Sequence, residues 1–93
     1  MTDREAFVAG EIVRIAREEL KVEEPPAPGD SLAAKLDSMS LLALVVAVED
    51  RFHVILTEDD AARTQTLEDL ARLVASRAPE DRLLAAAPPG ASP

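Results

Sequence analysis

The sequence predicts an all-α protein, a small four-helix bundle of three long helices and one short helix joined by a long first loop. Three observations carry that expectation. Apolar residues recur at helical spacing in three separate segments, so each segment has one face to bury. Only Phe7 and Phe52 are aromatic, so the core has to be aliphatic. No stretch of useful length alternates apolar with polar side chains. His53 to Leu56 is β-prone locally, but four residues without a partner strand pack as a loop.

The first helix is expected from Arg4 to Leu20, with Asp3 as its N-cap and Val8, Ile12, Ile15 and Ala16 on its apolar face. KVEEPPAPGDS follows, and Pro25, Pro26, Pro28 and Gly29 forbid a continuous helix there. Val22 and Leu32 can pin this surface loop to the core. Asp37 or Ser38 caps a second helix that runs to about Phe52, since either side chain can accept a hydrogen bond from a first-turn amide. Thr57 caps a short helix through about Arg63, where Glu58, Asp59 and Asp60 oppose the helix dipole favourably. Thr66 and Asp69 make a capping box with the shorter acid, and Leu67, Leu70, Ala71 and Val74 continue at helical spacing to about Arg77. Residues 4–77 are read as one domain and 78–93 as a flexible tail, because Pro79 blocks simple continuation and APPGASP has the composition of disorder. Leu83 and Leu84 can extend a frayed helix.

Charge and composition narrow the function. The 93 residues carry ten basic and eighteen acidic side chains, a formal charge of −8. No basic cluster in the sequence reverses that field, so nucleic acid is excluded as a partner and basic proteins are favoured. With no cysteine and one histidine, neither a thiolate nucleophile nor a zinc centre can be built, and no catalytic or metal residue is assigned. His53 is given a surface or packing role. Glu58, Asp59 and Asp60 lack the alternating ligands and glycine of a calcium loop. The amino-terminal MTDREAFVAG has no apolar stretch ahead of a cleavage site, and no run approaches the roughly 20 residues needed to cross a bilayer. A cytoplasmic monomer without membrane attachment is expected.

The second helix is the informative one. On a helical wheel Leu41, Leu44, Val45, Val48 and Phe52 share one side, which is the core face. Met39, Leu42 and Val46, at i, i+3 and i+7, form another apolar stripe flanked by Ala43, Glu49 and Asp50. Either that stripe is exposed and docks basic partners, or the helix is buried all round by dimerisation or by the proline loop.

Leu36-Asp37-Ser38-Met39, followed by LLALVVAVEDRF and TEDDAARTQTLEDLARLV, resembles the acyl carrier protein family from the attachment motif to the last helix. Members carry Asp-Ser-Leu at the head of their second helix; Asp37, Ser38 and Met39 occupy those positions here, with methionine for leucine. The resemblance implies an acyl-carrier bundle whose Ser38 bears a covalent 4′-phosphopantetheine arm, donated from coenzyme A by a phosphopantetheinyl transferase with magnesium. It implies that Asp37 contacts the transferase or its metal during loading, and that Met39, Leu42, Val46, Glu49 and Asp50 form the docking face. The arm's thiol would hold acyl or aminoacyl groups as thioesters, placed by a loading enzyme and removed by a downstream synthase or transferase. The chain itself would then be a substrate and not an enzyme.

Two departures bear on pathway. Many members have a glycine shortly before the motif, where this chain reads Ala33-Ala34-Lys35-Leu36, so the approach to the second helix is shorter or differently turned. Fatty-acid carriers place acids early in that helix, whereas Ser40 and Ala43 stand here. The pattern looks more like free-standing carriers of polyketide, nonribosomal-peptide or D-alanine-transfer pathways. The competing reading is a helical interaction module with this fold and no arm.

Overall fold

The computed structural model describes residues 1–83. Its first helix, α1 (Asp3–Arg14), starts one residue earlier than Asp3 capping would allow, because Thr2 is the cap. The Thr2 hydroxyl accepts from the Glu5 amide at 3.1 Å and the Glu5 carboxylate accepts from the Thr2 amide at 2.9 Å. Two otherwise unpaired donors are thereby satisfied at once, which a lone Asp3 cap could not do. The helix then widens into a π-helical turn over Ile15–Glu19, closed by Leu20 N–H donating to Ile15 C=O at 3.1 Å. Lys21 takes a left-handed conformation with φ 60°, and Val22 N–H donates to Ala16 C=O at 2.9 Å, which reverses the chain.

The proline loop does not wander. Pro26 is fully buried and Leu32 is buried. The loop's end is stitched to the start of the last long helix by Leu32 N–H to Gln65 C=O at 2.8 Å and Glu68 N–H to Pro28 C=O at 2.9 Å. A short helix that periodicity did not anticipate, α2 (Leu32–Lys35), follows. Four residues with no side-chain cap carry no pattern to read. Buried Leu32 and Leu36 anchor the helix at both ends.

Helix α3 (Ser38–Phe52) ends at His53, which is left-handed with φ 54° and ψ 50° and lets Val54 N–H return to Glu49 C=O at 3.3 Å. At α4 (Glu58–Arg63) the expected Thr57 cap is completed into a box by Asp60, and α5 (Leu67–Arg77) has the Thr66 capping box expected of it. One further helix, α6 (Glu80–Leu83), lies in what was read as flexible tail. Leu83 is buried against the core, and Arg4 pairs with Glu80 across the amino-terminal end. The packed chain therefore runs at least to Leu83, because one leucine beyond Pro79 finds apolar surface. Leu84 and the rest of that segment lie outside the described residues.

The core is aliphatic as composition required. Val8, Ile12 and Ile15 from α1 and its π turn, Leu44, Val48 and Phe52 from α3, and Leu67, Leu70 and Val74 from α5 meet at its centre. The two phenylalanines touch edge to face, with ring centroids 6.4 Å apart. The Arg51 guanidinium lies 4.8 Å from the Phe52 ring centroid, pairs with Glu11 at 3.1 Å and donates to Arg82 C=O at 3.4 Å. One side chain thus joins α1, α3 and α6.

Candidate functional site

The head of α3 decides between the two sequence candidates for its cap. Asp37 is the N-cap, with Oδ1 accepting from the Ser40 amide at 2.7 Å. That amide holds the Asp37 carboxyl below its usual range. Ser38 is therefore the first residue inside the helix, exposed and left out of the capping arrangement. Buried Leu36, two residues earlier, fixes where the turn emerges.

Ser38 stands on the rim of a cleft of about 680 Å³. One wall is α3, through Leu41, Leu42 and Val45; the other is Leu56, Ala61, Leu70 and Leu73 from the loop, α4 and α5. Ser31, Thr64 and Gln65 add polar groups to the lining. Leu41 and Val45 are only half buried because this cleft lies against them, although Leu41 also packs on the core. The wheel had assigned both to the core face.

An ion pair that local sequence could not reveal holds the second wall. Asp60 is 8% exposed and accepts from both Arg77 terminal nitrogens, at 2.5 and 2.8 Å. It also accepts from the Thr57 amide at 2.8 Å. The Arg77 guanidinium, then the Thr57 amide, hold its carboxyl far below the ordinary carboxylate range. Arg77 also donates to Ile55 C=O at 3.2 Å, so it ties the loop and α4 to the end of α5. The only warning in the sequence was an acid at an inward-facing position, which needs a cation.

The apolar stripe of α3 is exposed: Met39 at 79%, Leu42 at 64% and Val46 at 49%. Of its two flanking acids, Asp50 is exposed, but Glu49 is half buried. The Glu49 carboxylate accepts from the Leu56 amide at 2.9 Å, so it shapes the loop beside the cleft. His53 is exposed at the helix end. Among the described residues no group of three or more metal-ligating side chains converges, and no helix is long and apolar enough to cross a membrane.

The arrangement suits a covalently tethered group. It offers an accessible hydroxyl on a fixed helix head, an apolar cleft beside it and an exposed ridge along the same helix. No curated protein and no solved structure matches the chain. The family model described as "Phosphopantetheine attachment site" matches residues 10–74, a span that runs from α1 through α3 and its loop to α5. The chain belongs to this phosphopantetheine-attachment family, as a small all-α carrier that bears a covalent 4′-phosphopantetheine arm and works with phosphopantetheinyl transferases and biosynthetic enzymes.

Proposed function

We propose that Ser38 is the attachment residue and that the chain carries acyl intermediates for polyketide or nonribosomal-peptide assembly. The observation that carries the site is the exposed Ser38 hydroxyl on the rim of the apolar cleft, with Asp37 taking the capping role. The lack of acids at Ser40 and Ala43, where fatty-acid carriers are acidic, supports the pathway class.

Loading forms a bond between Ser38 Oγ and phosphorus and breaks the pyrophosphate bond of coenzyme A, releasing adenosine 3′,5′-bisphosphate. The hydroxyl proton passes to a base on the transferase, so this chain needs none of its own. The new phosphodiester lies at the amino-terminal end of a 15-residue helix, whose dipole and unpaired first-turn amides favour negative charge. When bound, the arm supplies the thiol that holds cargo as a thioester.

The lining of the cleft favours apolar cargo. Asp60 is already committed to Arg77 and Thr57, which leaves Glu58 as the one other lining carboxylate for an aminoacyl ammonium. Met39, Leu42, Val46 and Asp50 form the docking face, and burying each large side chain there is worth about 1.5–3 kcal/mol before the costs of association. Glu49 acts through the loop. The carrier unit spans residues 4–77, with α6 docked on it.

Incubation with coenzyme A, magnesium and a broad-specificity transferase, followed by intact mass, tests the assignment. The wild-type chain should gain one phosphopantetheine and Ser38→Ala none. Loading that persists in Ser38→Ala would move the site elsewhere, and no loading of the wild type would favour an interaction module without the arm. The mass of the native thioester identifies the cargo class.

A further inference from the structure

Met39 stands next to Ser38 in the first turn of α3 and is 79% exposed. Methionine commonly fills gaps inside a core, where its flexible thioether adapts to irregular space. Here it lies outside the core, where leucine would offer similar apolar surface with no oxidisable atom. We propose that Met39 is an oxidation site, and that converting its thioether to a sulfoxide slows attachment of the arm at Ser38. The proposal rests on the carrier reading and adds regulation to its site.

Composition directs the oxidant to this residue. The chain has no cysteine, tryptophan or tyrosine and only two methionines, so no thiolate intercepts the oxidant first. The other methionine, Met1, precedes α1 and is 50% exposed. A formal charge of −8 repels anionic oxidants and leaves neutral hydrogen peroxide unhindered. In the reaction the peroxide O–O bond breaks and an S–O bond forms on Met39. The sulfur loses two electrons and the peroxide is reduced to water. A sulfoxide reductase reverses the step with a dithiol, which gives up two electrons, becomes a disulfide and releases the oxygen as water.

Exposure decides what the oxygen does. In the free chain the Met39 side chain faces water, so the new acceptor is hydrated and folding buries no extra polar group. A transferase that covers the head of α3 to reach Ser38 has to strip that water, and a buried acceptor without a donor weakens binding. Neighbouring residues of a helix point in different directions, so the sulfoxide does not alter the chemistry at Ser38 Oγ. The loss falls on recognition.

The test uses the full unloaded chain, treated with hydrogen peroxide and then freed of it. Peptide mapping should place one added oxygen, about 16 Da, on Met39, and the melting temperature should match that of the untreated chain. With coenzyme A, magnesium and a broad-specificity transferase, the oxidised chain should show a KM raised roughly fivefold or more at nearly unchanged kcat. Methionine sulfoxide reductases with dithiothreitol should restore the KM. Met39→Gln, polar at the same place, should raise KM without peroxide. Met39→Leu, which keeps Met1, should show one KM before and after treatment. Equal KM for oxidised and untreated chains, a peroxide effect that persists in Met39→Leu, or Met39 left reduced when Met1 is oxidised would overturn the proposal. An untreated chain that takes no arm would instead defeat the carrier reading itself.

Discussion

At the scale of single residues, Asp37 and Glu49 show two fates for acids that look alike in sequence. Asp37 caps α3 through the Ser40 amide, and asparagine caps about as well as aspartate. Asp37→Asn should therefore keep the wild-type melting temperature while slowing loading by roughly tenfold, the scale of losing a group that orients a metal. Asp37→Ala should lower both. Circular dichroism melts and a mass time course separate these effects, and equal loading by Asp37→Asn would remove the carboxylate from the loading step. Glu49 instead accepts from the Leu56 amide. Glu49→Ala should accelerate hydrogen exchange at Leu56, and Glu49→Gln, which keeps an acceptor, should restore protection; equal exchange in all three would mean that the contact does not hold the loop. The α3 cap was legible to within two neighbours, Asp37 or Ser38, because its partner lies within one turn. The fate of Glu49 was not, because it depends on how the loop folds back after His53.

At the scale of elements, α3 divides its surface by depth. Leu44, Val48 and Phe52 have no exposed surface, whereas Met39 and Leu42 are mostly exposed. Leu44→Ala should cost about 2–5 kcal/mol in urea unfolding through the cavity it leaves. Leu42→Ala should stay within about 0.5 kcal/mol of wild type and raise the transferase KM for the chain. A large loss of stability in Leu42→Ala would mean that the ridge is packed and not a docking face. Helical periodicity separated these sets because it reports which residues share a direction. It could not show that Leu41 and Val45 also wall a cleft, since a cleft wall and a core face are both apolar. Nor could it find α2 or α6, each four residues long and held by tertiary burial of Leu32 and Leu83. The Thr57 cap and the Thr66 box were readable for the opposite reason: the groups they join lie within one turn.

At the scale of the whole molecule, the carboxylates set the response to acid. The folded state lowers the Glu11, Asp37, Asp60 and Asp69 carboxyls relative to their ordinary values. For Glu11, burial opposes the Arg14 and Arg51 pairs that lower it. Asp69 is lowered first by the Gln65 and Thr66 amides, and Asp60 first by Arg77. A carboxyl lowered on folding adds stability that is complete above its unfolded value and is lost as pH falls toward its folded one. The ordinary aspartate value is 3.8, so the loss should begin below about pH 5 and steepen below about pH 4. Mild acidification acts the other way, since it relieves self-repulsion in a chain of charge −8. Asp60 allows the two effects to be told apart. Asp60→Asn removes one negative charge, so self-repulsion alone would make it more stable at neutral pH. Loss of the Arg77 pair and the Thr57 contact predicts the reverse: a less stable protein at about pH 7 whose acid limb is shallower, so that the two stability curves converge toward pH 2 or so. Urea melts across that range measure it, and parallel curves would show that the pair contributes nothing to folding. Because Arg77 also holds Ile55 C=O beside the cleft, protonating Asp60 should loosen α4 from α5 before the core opens. Exchange at the Asp60 and Ala61 amides should then rise at a higher pH than exchange at Val48, which lies in the centre of α3 and has no exposed surface.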